Sequence, residues 1–284
     1  MRRWILAAAA LAAAPTPLSA EAFTPEQRAA IVEILREALR NDPSILEDAI
    51  AALQARDAAR EREAARAAIA AHREALTNDP ALPFKGAVRP TAVIAEFFDY
   101  RCPHCRRMAP VIAELLRSDS GLRIVLIDLP ILGPASVTAA RAALAAQRQG
   151  RYVEMHDALM RLRGEPTEAE ITRIAAELRL DAERLRRDMA DPGVARRIEA
   201  NLRLAQALGV QGTPAYVVGE EIIPGAVSAE ALRAAIARAR GNAEASTHVS
   251  VSQLHCAATE TLPDHLGKGG GASPPPRHGE ERTS

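Results

Sequence analysis

Cys102 and Cys105 lie three positions apart in Arg101-Cys102-Pro103-His104-Cys105, directly after the apolar run Thr91 to Phe98 and at the opening of a helical pattern that continues to Arg117. At the first turn of a helix two such cysteines share a face and are close enough to bridge. The partial positive charge of a helix N-terminus lowers a thiol pKa, which makes the first cysteine a nucleophile near neutral pH. Pro103 suits the first helical position, where its missing N–H costs nothing. A pair of this kind can trade a disulfide with another protein. Metal binding is the competing chemistry. Structural zinc asks for four ligands, and the chain has no second Cys-x-x-Cys and no nearby histidine pair, His156 reading as a surface helix residue. Copper(I) suits two soft thiolates and stays open as an alternative.

Glu96 stands six residues before Cys102 in a stretch that is otherwise apolar except at its ends. Alternation through Val93, Ala95 and Phe97 leaves Glu96 on the other face with Ile94 and Phe98, both apolar. A buried carboxyl with a raised pKa is therefore preferred to an edge position facing solvent.

The elements that must hold these groups follow from the pattern. Thr91 to Phe98 reads as a buried strand, Pro103 to Arg117 as a helix, and Leu122 to Leu129 as a second buried strand. Gly133-Pro134 breaks the chain, and Ser136 to Leu208 is helical almost throughout, with punctuation at Gly150, Gly164, Asp181 and Asp191-Pro192-Gly193. Pro214 to Val218 and Glu221 to Ile223 form a hairpin about Gly219-Glu220, and Ser228 to Arg240 is a last amphipathic helix, capped by Ser228 and ended by Gly241. Strand, helix, strand, helical block, two hairpin strands and a final helix make an α/β thioredoxin fold with a helical domain inserted at about 134–208, within a domain spanning 85–241.

Ahead of it, Met1-Arg2-Arg3 precedes the apolar run Trp4 to Ala14, too short to span a bilayer as a mature helix, and Leu18-Ser19-Ala20 or Ala20-Glu21-Ala22 offers small residues for signal cleavage. Residues 1–22 are expected to be a signal peptide of an exported, periplasmic protein; an uncleaved single-pass anchor is the other reading. Residues 23–80 read as helical. Ile31, Ile34, Leu35 and Leu39 recur at helical spacing up to Asn41-Asp42-Pro43, and a second helix begins at Ser44 with Ile45, Leu46, Ile50 and Leu53. From Gln54 to Ala68 its only apolar side chains are alanines among alternating charges. Such a helix bridges elements in solvent or pairs with copies of itself, and from Ser44 to Leu76 it would extend roughly 50 Å. The reading is a homo-oligomerisation element and charged stalk over 23–77, against a solvated helix folded back on a monomer. Residues 242–284 carry Gly-rich and Pro-rich stretches without a period and should be disordered, with Cys256 an idle thiol. With 284 residues, 48% hydrophobic and 25% charged, the chain can bury one core and carry appendages, and a formal charge of zero without a basic block excludes nucleic acid as a partner. Three cysteines are too few for a disulfide scaffold, so the thiols serve reactivity.

The stretch Glu96-Phe97-Phe98-Asp99-Tyr100-Arg101-Cys102-Pro103-His104-Cys105 resembles the active site of the DsbA family of periplasmic thiol-disulfide oxidoreductases, and Gly209-Val210-Gln211-Gly212-Thr213-Pro214-Ala215-Tyr216 resembles that family's cis-proline loop. The helical region before them is similar, in architecture more than motif, to the N-terminal part of the trimeric suppressor-of-copper-sensitivity C proteins. The resemblance implies an exposed nucleophile at Cys102, a buried resolving thiol at Cys105 and a redox disulfide between them. It implies that Glu96 relays protons to Cys105. His104 can donate a hydrogen bond or positive charge to the Cys102 thiolate, which makes the disulfide more oxidising. Thr213-Pro214 is expected to be cis and to present the Thr213 backbone to an extended client segment. Threonine before this proline is typical of the family's isomerases and reductases, which tilts the expectation toward an isomerase. No cofactor or metal is implied. The implied partners are exported client proteins with cysteines, a membrane redox partner and further copies of the chain, a trimer among the possibilities. The alternative from another class is a copper(I)-binding or holdase module using the same thiols as ligands.

Overall fold

A computed structural model describes residues 23–242. The expected signal peptide and the expected disordered tail with Cys256 lie outside the described residues. The chain divides into two compact units with the boundary between Glu63 and Ala64, inside a helix and earlier than the stalk limit near residue 80 read from the sequence.

In the first unit α1 (Pro25–Asn41) starts from a capping box in which the Thr24 hydroxyl accepts from the Gln27 N–H and the Gln27 side chain accepts from the Thr24 N–H. α2 (Ser44–Ala71) begins after Asp42, whose carboxylate takes the Ser44 N–H and hydroxyl. Within this unit Ile31, Val32, Ile34, Leu35, Leu39, Ile45, Leu46, Ile50 and Leu53 are all exposed. The sequence predicts one helix from Ser44 to Leu76. Instead it breaks at His72, and α3 (Arg73–Thr77) follows. Ile69 and Leu76, on either side of the break, are both buried in the second unit.

The second unit is built on a five-stranded sheet in the order β1-β3-β2-β4-β5, formed by β1 (Phe84–Gly86), β2 (Ala92–Phe98), β3 (Leu122–Asp128), β4 (Ala215–Val218) and β5 (Glu221–Pro224). Only β2 and β3 are parallel, joined through α4 (Pro103–Ser118). Both faces of this pair are covered, so their sequences run apolar without alternating polar residues. One face carries Ile94, Phe98, Ile124, Leu126 and Tyr216 against Met108, Ile112 and Leu115 of α4. The other carries Ala95, Phe97, Val125, Ile127 and Val217 with Ile69, Leu76, Ala205 and Leu208. β1 was not legible in the sequence, because three residues behind Pro83 at a half-exposed sheet edge carry no period.

The helical insertion runs from α5 (Pro134–Gln147) through α6 (Tyr152–Arg161), α7 (Glu168–Glu177) and α8 (Ala182–Met189) to α9 (Pro192–Ala207), the span the sequence suggests. Six alanines of α5 are fully buried, and their small side chains let neighbouring helices approach closely. His156 is not a surface residue. It is 3% exposed, packed edge-on against the rings of Phe98 and Tyr100, because it falls on the buried stripe of α6 with Tyr152, Met155, Leu159 and Met160. A last helix, α10, occupies 229–242. The Ser228 hydroxyl accepts from the Ala231 N–H as expected, while the helix passes through Gly241 instead of stopping there.

Candidate active site

The site forms where β2 hands over to α4. Cys102 is the N-cap of α4 with φ −70° and ψ 116°, Pro103 opens the helix, and Cys105 follows in its first turn. Both cysteines are free thiols. The Cys102 Sγ lies 3.2 Å from the Thr213 carbonyl oxygen and donates to it, and the Thr213–Pro214 peptide bond is cis. The pair of segments expected from the sequence, 111 residues apart, thus meets at one sulfur. Cys102 is not the exposed group expected: it is 4% exposed, because the Thr213 backbone sits on its thiol. Cys105 is fully buried, and burial pushes its thiol well above the ordinary range, with the neighbouring Cys102 adding to the rise. The Asp99 backbone N–H and Thr213 act on Cys105 in the opposite sense.

The His104 ring is exposed, and its Nδ1 lies 2.5 Å from Arg107 Nη2 one turn along the helix. A guanidinium only donates, so Nδ1 is the acceptor in this contact.

Glu96 is buried in β2, in register with Leu126 on one side and Tyr216 on the other. Burial raises its carboxyl to about 7, with Lys85 and Tyr216 pulling it partly back. The buried Tyr216 hydroxyl is pushed up by burial and then by Glu96, Cys105 and Cys102. Tyr216 therefore lies within electrostatic reach of the carboxyl and both sulfurs. Lys85, on β1, forms an ion pair with Asp157 of α6. Among the described residues no group of three or more His, Cys, Asp and Glu side chains is placed to hold a metal ion.

Residues 93–237, just over half of the chain, match the family model described as a DSBA-like thioredoxin domain. The chain belongs to this DsbA-like family. Residues 27–60 match a second model, the N-terminal domain of the copper resistance protein ScsC. A thioredoxin-like oxidoreductase from Silicibacter pomeroyi is 44% identical, with 60% of this chain and 98% of that one aligned at a TM-score of 0.58. Proteus mirabilis ScsC in a transitional conformation is 28% identical over 78% of this chain and 100% of that one, also at 0.58. Among curated proteins, the Na(+)/H(+) antiporter NhaA 3 of Salinispora tropica is 35% identical over 161 residues, and the chain spans about a quarter (25%) of that protein against 56% of its own length. No helix among the described residues is long and apolar enough to cross a membrane.

In this DsbA-like unit several residues that the sequence did not single out hold the site together. Asp99 is buried at 1% exposure and its carboxylate accepts four hydrogen bonds. Arg101 bonds the Leu132 carbonyl and Glu165, and Arg106 bonds the carbonyls of Tyr100 and Gly164, so two guanidinium groups lace the Cys-x-x-Cys turn to loops of the helical insertion. Behind it lies a second buried carboxyl, Asp128, which accepts from the Tyr152 hydroxyl at 2.5 Å and is raised to about 7 by burial. Tyr100 Oη meets His156 Nδ1 at 3.3 Å, and burial holds that imidazole well below its usual pKa. The polar residues of β2 and β3 ends were the available signal: an acid closing each of two apolar runs, Asp99 and Asp128, invites a partner search.

Proposed function

We propose that the protein is a periplasmic thiol-disulfide oxidoreductase that isomerises or forms disulfides in exported proteins. The observation that carries this reading is the meeting of Cys102 Sγ with the Thr213 carbonyl beside buried Cys105. A client segment lying along residues 212–214 would pair with the Thr213 backbone and bring its own sulfur to Cys102. The Cys102 thiolate attacks one sulfur of a client disulfide; that S–S bond breaks, a mixed disulfide forms and the second client sulfur leaves as a thiolate. In isomerisation this thiolate, or another client thiolate, attacks the client sulfur of the mixed disulfide, forming a new client disulfide and restoring Cys102 with no net electron transfer. In the reductive branch Cys105 gives up its proton and attacks Cys102 Sγ, so the Cys102–Cys105 pair is oxidised as the client is reduced to two thiols. Running the same steps backwards from the Cys102–Cys105 disulfide inserts a disulfide into a client. Glu96, with its carboxyl near 7, is the group we assign to take or return the Cys105 proton.

The exposed apolar side chains of α1 and early α2 support self-association through residues 23–63. An oligomer holds several sites around one misfolded client, which favours repeated attack over release. Refolding of a scrambled multi-disulfide protein tests the whole reading. Activity that requires Cys102 is the expected result. A protein that binds copper(I) through its reduced thiols yet neither oxidises a dithiol peptide nor rescues scrambled protein would overturn it.

A further inference from the structure

Asp99 contributes to the site through both its backbone and its side chain. Its carbonyl oxygen accepts the Cys102 N–H at 3.1 Å, and its backbone acts on Cys105 in the sense that favours the thiolate. The residue thus holds the backbone of one cysteine and acts electrostatically on the other. Its carboxylate is filled from three separate segments: Oδ1 accepts from the Arg101 N–H at 2.7 Å and the Ser136 hydroxyl at 2.8 Å, while Oδ2 accepts from the Ile131 and Leu132 N–H groups at 2.9 and 3.0 Å. These donors belong to the turn before α4, the loop after β3 and the first turn of α5.

We propose that Asp99 is a positioning residue for disulfide exchange, a buried clamp whose carboxylate fixes the turn that holds the Cys102 backbone at the start of α4, and so sets how readily Cys105 resolves a mixed disulfide. In the resolving step the Cys105 S–H bond is broken, its sulfur attacks Cys102 Sγ, the bond from Cys102 to the client sulfur breaks, and the client departs as a thiolate. A backbone dipole that favours the developing Cys105 thiolate lowers the barrier only while the turn that carries it is held in place. With four donors on two oxygens, the clamp leaves the Asp99 peptide little freedom.

The role is specific to a carboxylate. In Asp99→Asn the amide has one acceptor and one donor end. If its NH₂ faces Oδ2's partners it opposes two backbone N–H groups, and if it faces the other side it opposes the Arg101 N–H, with Ser136 able to turn and accept. Either way a buried donor is left unpaired, and the loop must shift to relieve it.

The inference rests on the exchange chemistry proposed above, but its test has a part that does not need a client. Wild type, Asp99→Asn and Ser136→Ala are compared, in the full chain and well below each protein's thermal midpoint. Three quantities are measured: the alkylation rate of Cys105 against pH in a Cys102→Ser background, the reduction potential of the pair, and the lifetime of a mixed disulfide between Cys102 and a cysteine peptide. Losing one hydrogen bond to the charged Asp99 carboxylate corresponds to about a tenfold change if it is passed on to the turn. Asp99→Asn should therefore lengthen the mixed disulfide about tenfold and move the Cys105 alkylation profile to higher pH, and Ser136→Ala, which leaves three of the four hydrogen bonds, should do both to a smaller degree. If both variants lose only thermal stability, with alkylation profile, potential and lifetime unchanged, Asp99 is merely structural and the proposal fails. If Asp99→Asn shifts the Cys105 profile while wild type exchanges nothing with peptides or proteins, Asp99 keeps its role and the proposed function falls.

Discussion

A carboxyl in the place of Glu96 makes the fold respond to pH. Its pKa rises from 4.5 to about 7 on burial, so the folded state holds a proton that the unfolded chain gives up. Between these two values stability falls as pH rises; below about 4.5 the group contributes no loss, and above 7 the loss is complete. Each unit is worth about 1.4 kcal/mol, which puts the cost at neutral pH on the order of 3 kcal/mol. Glu96→Gln should consequently flatten the fall in thermal midpoint from pH 4.5 to 7.5 and raise stability at pH 8, while slowing the Cys105-dependent steps of exchange. A variant that keeps the wild-type slope would assign the pH response to Asp128, raised through the same window. At the sulfurs, Cys102→Ser should abolish exchange, whereas Cys105→Ser should still attack clients and accumulate mixed disulfides, visible as adducts that vanish with reductant.

At the level of elements, the shortest strand carries a strict steric demand. Gly86 in β1 has φ +91°, and a Cβ there would press on the Leu122 carbonyl oxygen and the Leu116 side chain. Gly86→Ala combines an unfavourable left-handed backbone with a clash against the backbone of β3, and should cost at least about 2 kcal/mol, read as a lower midpoint in denaturant. Loss of β1 would also free Lys85, whose charge reaches both Glu96 and His156. The same variant is therefore expected to alter the pH dependence of exchange, which a strand serving only as edge cover would leave alone.

For the whole molecule the division at Glu63 separates two kinds of surface. In the first unit Ile34 and Leu35 are 65% and 55% exposed, an arrangement that costs hydration free energy unless a partner covers it. Replacing both by aspartate should lower the particle mass in solution and reduce isomerisation of a scrambled protein several-fold, while leaving oxidation of a short dithiol peptide within about twofold, since avidity and not chemistry is removed. Unchanged mass, or equal loss in both assays, would count against self-association through this segment. Deletion of residues 23–77 is a poorer test, because Ile69 and Leu76 belong to the core on one face of the sheet.

The sequence alone determined the order of strands and helices, the helical insertion, the cysteine pair at a helix start and the burial of Glu96, because each is written in local periodicity and in short motifs. It left β1 unread, since a three-residue edge strand has no period, and it ran α2 straight through His72, since the break serves contacts made by Ile69 and Leu76 with residues far along the chain. It set His156 on the surface although Tyr152, Met155 and Leu159 already marked its stripe. Only the tertiary structure decided that Thr213 covers Cys102, that His104 turns to Arg107, and that Asp99 gathers donors from residues 101, 131, 132 and 136. The physical reason is the same in each case: a buried polar atom takes whichever donors or acceptors the fold brings to it, and that choice is made in space between segments that the one-dimensional pattern keeps apart.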